Sequence, residues 1–255
     1  MLTPYYEHSG ITIYHGDCRD ILPHLPKVDI VLTDPPWMAS KASVRRVQGG
    51  VAPSESYSLA YGELGEFDPS VIKLCVQLAG YDCFFLCGYK ELGEVITAAS
   101  PHRGVFVWHK PNGGRTVAYP AALDAAFIVW GGKQSKLYGF QHWESSVFSI
   151  PVPSAGCMKT ERLLQYKNGP ALHPAQGPFA LYLKLLKPFR GMELIACDPY
   201  LGTGTTLLAA KHLRLSAIGI EIEEKYCEIA VKRLAQEMLP FDEPKQGAEQ
   251  LCLPS

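Results

Sequence analysis

Two short stretches of this chain combine residue types and spacings that chemistry can use. The first is Asp34-Pro35-Pro36-Trp37, which directly follows the apolar run Val28-Asp29-Ile30-Val31-Leu32-Thr33. Consecutive prolines fix the backbone and remove two N–H donors. The stretch therefore presents backbone carbonyls and a carboxylate, all acceptors, beside an indole ring. That set suits a flat substrate bearing an exocyclic amine: Asp34 and a backbone carbonyl each accept one amino hydrogen while Trp37 stacks on the ring. Acceptors that draw an aromatic amine towards tetrahedral geometry make its lone pair a better nucleophile. The plainer reading is a turn that ends a strand.

The second stretch is Asp198-Pro199-Tyr200-Leu201-Gly202-Thr203-Gly204-Thr205-Thr206, after the strand-like Glu193-Leu194-Ile195-Ala196-Cys197. Its glycines permit a tight turn and close approach of a ligand to the backbone. The helix that follows offers free N–H groups at its start. Glu221 closes the next strand-like run, about 20 residues on, where an acid can accept hydrogen bonds from ribose hydroxyls. A dinucleotide fingerprint would want a third glycine, but Leu207 stands there, and a phosphate-binding Gly-Lys-Ser/Thr is absent. A third reading is S-adenosylmethionine, a sulfonium cofactor with an adenosine and no phosphate.

On these residues the chain resembles the amino DNA methyltransferases, which methylate N6 of adenine or N4 of cytosine. DPPW resembles their catalytic motif, and DPYLGTGTT resembles their cofactor motif DPFxGxGTT. In this family Asp at the first motif position is usual for adenine enzymes and Ser for cytosine enzymes. The catalytic motif precedes the cofactor motif, the permuted order of the β group, and the stretch from Phe84 to Trp130 resembles phage and prophage members. His15-Gly16-Asp17-Cys18 resembles the N-terminal GDC element, which implies cofactor contacts from Asp17 and Cys18. His173-Pro174-Ala175-Gln176-Gly177-Pro178 resembles the HPTQKP element, which implies that His173 and Gln176 help close over the methionine end. It departs from that element at Ala175 and Gly177, where Thr and Lys are usual. The resemblance further implies roles for Asp34, Pro35, Pro36 and Trp37 in catalysis. For the cofactor it implies Asp198, Tyr200, Gly202, Gly204, Thr205, Thr206 and Glu221. The cofactor it implies is S-adenosyl-L-methionine, with no metal and no covalent nucleophile required.

These stretches need a scaffold. Short apolar runs at 11–14, 28–33, 82–87, 104–109, 124–130, 193–197 and 216–220 read as strands. Helical stretches fall at 17–25, 68–79, 90–99, 174–186, 205–212 and 223–238. The alternation predicts an α/β, three-layer, Rossmann-like methyltransferase fold with a mostly parallel sheet of about seven strands. We expect a single catalytic domain over 1–238, a mobile DNA-contacting loop at 38–67, a target-recognition insertion at about 111–172 and a loose tail at 239–255. The 255 residues suffice for a large core. Eight cysteines lack any CxxC pair and read as small buried hydrophobes of a reducing compartment. The absence of a long apolar run predicts no membrane span, and the expected location is the cytoplasm of a bacterium or phage-infected bacterium.

A net charge of −1 argues at first against a nucleic-acid partner. The charge is unevenly spread, however. Residues 38–50 carry Lys41, Arg45 and Arg46 with no acid. Residues 111–172 carry Arg115, Lys133, Lys136, Lys159, Arg162 and Lys167 against three acids, interleaved with Tyr138, Phe140, His142 and Trp143. These bases, with Lys110, are the candidate contacts to double-stranded DNA, and the aromatic residues are candidate wedges or stacking partners. The expected reaction is methylation of adenine N6 on a flipped base. Cytosine N4, an RNA or small-molecule amine, and a catalytically silent DNA-binding module are the alternatives. A homodimer is compatible with these features, and a restriction endonuclease partner is not readable from one chain.

Overall fold

The computed structural model describes residues 2–37, 67–111, 125–137, 143–152 and 176–236. The chain opens on two antiparallel strands, β1 (Tyr6–His8) and β2 (Ile11–His15). A short helix, α1 (Cys18–Ile21), leads to β3 (Ile30–Thr33). Next come α2 (Pro69–Leu78), β4 (Cys83–Cys87), α3 (Leu92–Ala98), β5 (His102–His109), β6 (Ala125–Gly131) and β7 (Val147–Ser149). The last part comprises α4 (Phe179–Leu186), β8 (Ile195–Asp198), α5 (Thr205–His212), β9 (Ser216–Glu221) and α6 (Glu224–Ala235).

The nine strands among the described residues form one sheet in the order β1-β2-β9-β8-β3-β4-β6-β5-β7. The middle, from β2 to β4, is parallel, whereas β1 and β6 run antiparallel to their neighbours. The sheet is thus larger and more mixed than the expected seven strands. The two additions, β1 and β7, are three-residue edge strands too short to show a period.

Strand side chains alternate between two faces, and each face has its own helical cover. Ile11, Ile13, Ile30, Leu32 and Phe84 pack with α4, α5 and α6 through Leu181, Leu185, Leu207, Leu208, Ala230 and Leu234. Val31, Cys83, Phe85, Cys197 and Ile220 pack with α1, α2 and α3 through Ile21, Val71, Cys75 and Val95. This is the expected three-layer arrangement. β3, β4 and β8 are covered on both sides, which is why they read as continuous apolar runs. The six cysteines among the described residues are free and buried, as expected of small hydrophobes.

Local signals explain the helix starts. Asp68 caps α2 by accepting from the Ser70 N–H at 2.9 Å, with Pro69 in the first turn. α4 begins only at Phe179, later than the expected Pro174, because Pro178 stands extended just ahead of it at φ −70°, ψ 132°. No described helix is long and apolar enough to cross a membrane.

The chain leaves β3 for β4 on one side and β8 for β9 on the other. The carboxyl ends of β3 and β8 therefore border a crevice at the point where the strand order reverses, the usual ligand site of an open α/β sheet. Both sequence motifs lie there.

Candidate active site

Asp198 is the last residue of β8 and is 3% exposed. Its carboxylate accepts from the Thr33 hydroxyl at 2.6 Å, the Thr206 hydroxyl at 2.5 Å and the Tyr200 N–H at 3.1 Å. It thereby ties the ends of β3 and β8 to the start of α5. Burial nevertheless pushes its carboxyl up to about 6.

The loop after Asp198 turns on Gly202 and Gly204, with φ of +53° and +84°. Glycine takes these left-handed conformations without a steric cost. At Gly204 a Cβ would also come within 2.9 Å of the Ala230 Cβ on α6. Arg233, buried on α6, braces the turn from below. Its Nη1 donates to the Thr203 carbonyl and to the hydroxyls of Thr203 and Thr205. Thr205 and Thr206, expected at the cofactor, thus turn their hydroxyls to Arg233 and Asp198. Their contribution is to the shape of the loop.

Glu221 ends β9 alongside the turn. One carboxylate oxygen accepts from the Gly202 N–H at 2.7 Å and the other from the Glu223 N–H at 2.9 Å. Each oxygen keeps a second lone pair for a ligand hydroxyl. β2 pairs with β9, His15 opposite Glu221, so the Gly16-Asp17-Cys18 element arrives beside it, with the Gly16 N–H on the Glu221 carbonyl at 2.9 Å. Asp17 caps α1 through the Arg19 N–H at 2.9 Å and pairs with the Arg19 guanidinium, whose hydrogen bonds hold its carboxyl below the usual range. The Cys18 thiol meets the Tyr200 hydroxyl.

Gln176 carries a buried Oε1 with no hydrogen-bond partner among the described residues. An orphaned acceptor of this kind costs stability unless a ligand supplies a donor. His173 lies outside the described residues. Gly177, the departure noted in the sequence, has a clear cause. A Cβ there would lie 2.6 Å from the Tyr182 hydroxyl and 2.9 Å from its Cζ. The buried Tyr182 ring fills the space beside position 177.

Asp34 follows β3 directly. Its Oδ1 accepts from the Trp37 indole N–H at 2.7 Å, and this is the carboxylate's sole hydrogen bond among the described residues. Although Asp34 is only half-buried at its surface, burial pushes the carboxyl up to about 7, against the pull of Trp37 and Lys110. The Lys110 ammonium lies 4.9 Å from the Trp37 ring centre and 4.6 Å from that of Trp108. Gly88, after β4, lies beside Trp37 and leaves room for the Glu91 carboxylate, which a Cβ there would meet at 2.7 Å.

Three sequence-read DNA candidates are placed elsewhere. Lys133 and Lys136 follow β6, whose end pairs with the start of β4 (Gly131 opposite Cys83), at the opposite edge of the sheet from Asp34. There Lys136 covers the Tyr81 ring at 4.2 Å, and its N–H donates to Asp82 at 3.0 Å. Trp143, expected as a base-stacking wedge, packs edge-on to Phe106 at 5.0 Å and Trp130 at 5.6 Å and donates to the Lys184 carbonyl. Its neighbours are core aromatics, so it is structural. Lys41, Arg45, Arg46, Arg115, Lys159, Arg162, Lys167, Tyr138, Phe140 and His142 lie outside the described residues.

Sequence reasoning missed Thr33, Arg233 and Tyr182 as parts of the site. Thr33 was legible as the residue before the motif. The other two are supplied by α6 and α4, remote in sequence from the groups they serve. Among the described residues no group of three metal-ligating side chains converges. The left-handed glycine turn, the Glu221 carboxylate and the orphaned Gln176 acceptor fit S-adenosylmethionine, whose ribose hydroxyls and ammonium are donors.

Comparisons with known proteins agree with this geometry. A family model described as DNA methylase, of the N6/N4 type, matches residues 28–232. M.HpaI, a type II methyltransferase of Haemophilus parainfluenzae, is 41% identical over 84% of this chain and 70% of its own. M.ScaI of Streptomyces caespitosus is 26% identical over 92% of this chain and 84% of its own. Among solved structures, M1.HpyAVI in complex with SAM aligns with a TM-score of 0.62 at 23% identity, covering 89% of this chain and all of that one. The PvuII cytosine-N4-specific DNA methyltransferase aligns at 0.62 and 17% identity, over 93% and 91%. The likeness to these two structures speaks for the fold. The family match and the identity to M.HpaI establish that this chain belongs to the N6/N4 DNA methylase family.

Proposed function

We propose that this enzyme transfers a methyl group from S-adenosylmethionine to N6 of adenine in double-stranded DNA, in a bacterial or phage-infected cytoplasm. The observation that carries the reading is the Asp34 carboxylate, held by the Trp37 N–H on Oδ1 with Oδ2 left to accept, at the crevice shared with the glycine turn. The family resemblance associates Asp at this position with adenine.

The cofactor, when bound, supplies an electrophilic methyl on a sulfonium. Glu221 and Gln176 hold its ribose and methionine ends, Asp17 and Cys18 border the adenosine, and the turn through Gly202 and Gly204 lets the backbone approach it. The target base cannot be reached inside the duplex and must leave the stack. Asp34 Oδ2 and the Pro35 carbonyl accept the two amino hydrogens, which turns the nitrogen lone pair towards the methyl. The N–C bond forms as the C–S bond breaks, with the electron pair staying on sulfur. One amino proton then leaves the nitrogen through Asp34 to water. The bases outside the described residues, Lys41, Arg45, Arg46, Arg115, Lys159 and Arg162, are proposed phosphate contacts.

A second reading, cytosine N4, is supported by the equal structural likeness to a cytosine-N4 enzyme. Unmethylated plasmid DNA incubated with enzyme and S-adenosylmethionine, digested to nucleosides and analysed by mass spectrometry, separates them. N6-methyl-2′-deoxyadenosine is expected. N4-methyl-2′-deoxycytidine, or no methylated base in the DNA, overturns the assignment.

A further inference from the structure

Lys110 reads in the sequence as one more surface base, yet its setting is unlike that of a phosphate contact. β5 runs in the same direction as β3 and β4, because each pairs through β6 or directly. The end of β5 therefore lies at the catalytic edge. Trp108 and Lys110, two residues apart, point to the same side. Trp108 is 4% exposed and anchored, its indole N–H donating to the Ile150 carbonyl at 2.7 Å. Trp37 is anchored by Asp34. The Lys110 ammonium reaches both rings, at 4.6 Å and 4.9 Å from their centres. A cation so placed is attracted by both π faces, the more strongly where water is excluded.

We propose that Lys110 is a positioning residue of the methyl-transfer reaction: it clamps Trp37 against Trp108, keeps the indole N–H on Asp34, and sets a positive charge beside that carboxylate. This rests on the methyltransferase reading of the site. The groups facing Asp34 are Trp37 on its own loop, Lys110 just after β5, Asp198 from β8, Cys87 from β4 and Tyr182 from α4. Lys110 is the sole cation among them. Its charge lowers the Asp34 carboxyl, while burial lowers its own ammonium. Charge and clamp are thus supplied by one side chain. Arginine at 110 keeps the first and, as a flat cation, also stacks on indole.

The test is single-turnover methyl transfer to unmethylated plasmid DNA by wild type, Lys110→Met, Lys110→Gln and Lys110→Arg, across pH 5.5 to 9. DNA affinity is measured in parallel at several salt concentrations. Thermal melts establish folding, and Lys110→Gln serves as the neutral variant should Met unseat the indoles. Expected for the neutral variants is a rate at least about tenfold lower at pH 7, as for loss of an oriented electrostatic partner. Their acid limb moves to higher pH, DNA affinity stays within about twofold, and Lys110→Arg restores most of the rate. A neutral variant with wild-type rate and profile overturns the proposal. So does a loss of DNA affinity with a salt slope smaller by about one, the signature of a lost phosphate contact. A wild type that methylates no DNA would instead overturn the functional reading.

Discussion

At the scale of single residues, the proposed reaction turns on the charge state of one half-buried carboxylate. Asp34 sits up to about 7, chiefly because burial disfavours its charge, with Trp37 and Lys110 pulling the other way. The form that accepts amino hydrogens most strongly is the carboxylate. Transfer should therefore be slow below pH 7 and rise as the pH passes through it, reaching a plateau above. A single-turnover pH profile checks this, and a rate that falls over the same range would exclude Asp34 as the acceptor. Asp34→Asn keeps shape and loses charge. Its expected rate is lower by about a hundredfold or more, in the range seen when an oriented electrostatic partner is removed. Its affinity for S-adenosylmethionine in calorimetry should stay within about threefold, since Glu221 and the glycine turn are untouched.

At the scale of elements, the glycine turn after β8 is held by side chains from its neighbours. Asp198 binds β3, β8 and α5 together, and Arg233 reaches from α6 to the turn. The segment before α4 shows the same interlocking. Gly177 is glycine because Tyr182, one turn into α4, occupies the space a Cβ would need. Gly177→Ala should cost about 1–3 kcal/mol as an overpacking change. Combining it with Tyr182→Leu should cost less than the sum of the two single changes, because each relieves the other. Thermal or urea melts of the four proteins measure that coupling, and strict additivity would mean the two positions do not meet. The same elements account for what the sequence left hidden. β1 and β7 are three residues long, too short for a period. The antiparallel course of β6 depends on the link from β5 and on partners far along the chain, so the runs at 104–109 and 124–130 were legible as strands without their direction. That direction carries Lys133 and Lys136 to the far edge of the sheet and Lys110 to the near one.

At the scale of the whole molecule, three carboxyls are raised together at one crevice: Asp34 to about 7, Asp198 to about 6, and Glu221 above its usual value, each mainly by burial. The folded protein holds protons there that the unfolded chain releases. By linkage, stability from these groups falls as pH rises from the ordinary carboxylate range towards 7. Asp17 and Asp68 are lowered by their hydrogen bonds, so their contribution is complete above that range and changes only below it. A cationic cofactor favours the ionised carboxylates and should offset the loss. Melts with and without S-adenosylmethionine at pH 5 and 7.5 test this. A larger rise in Tm with cofactor at pH 7.5 is expected, and an equal or smaller rise would show that the cofactor does not feel these charges.

The sequence alone determined the family and the positions of seven of the nine described strands. Two acceptor-rich motifs after apolar runs, each with its own turn residues, specify local backbone shape whatever surrounds them. It also determined the layered fold, because strands buried on both faces must be continuous apolar runs. The partners of each group waited for tertiary structure. The Trp37 N–H on Asp34, Lys110 between two indoles, Thr33 on Asp198 and Tyr182 beside Gly177 join residues whose closeness is set by strand order and register. Burial and field at a carboxylate are sums over such neighbours, so they exist only once the sheet has brought those neighbours together.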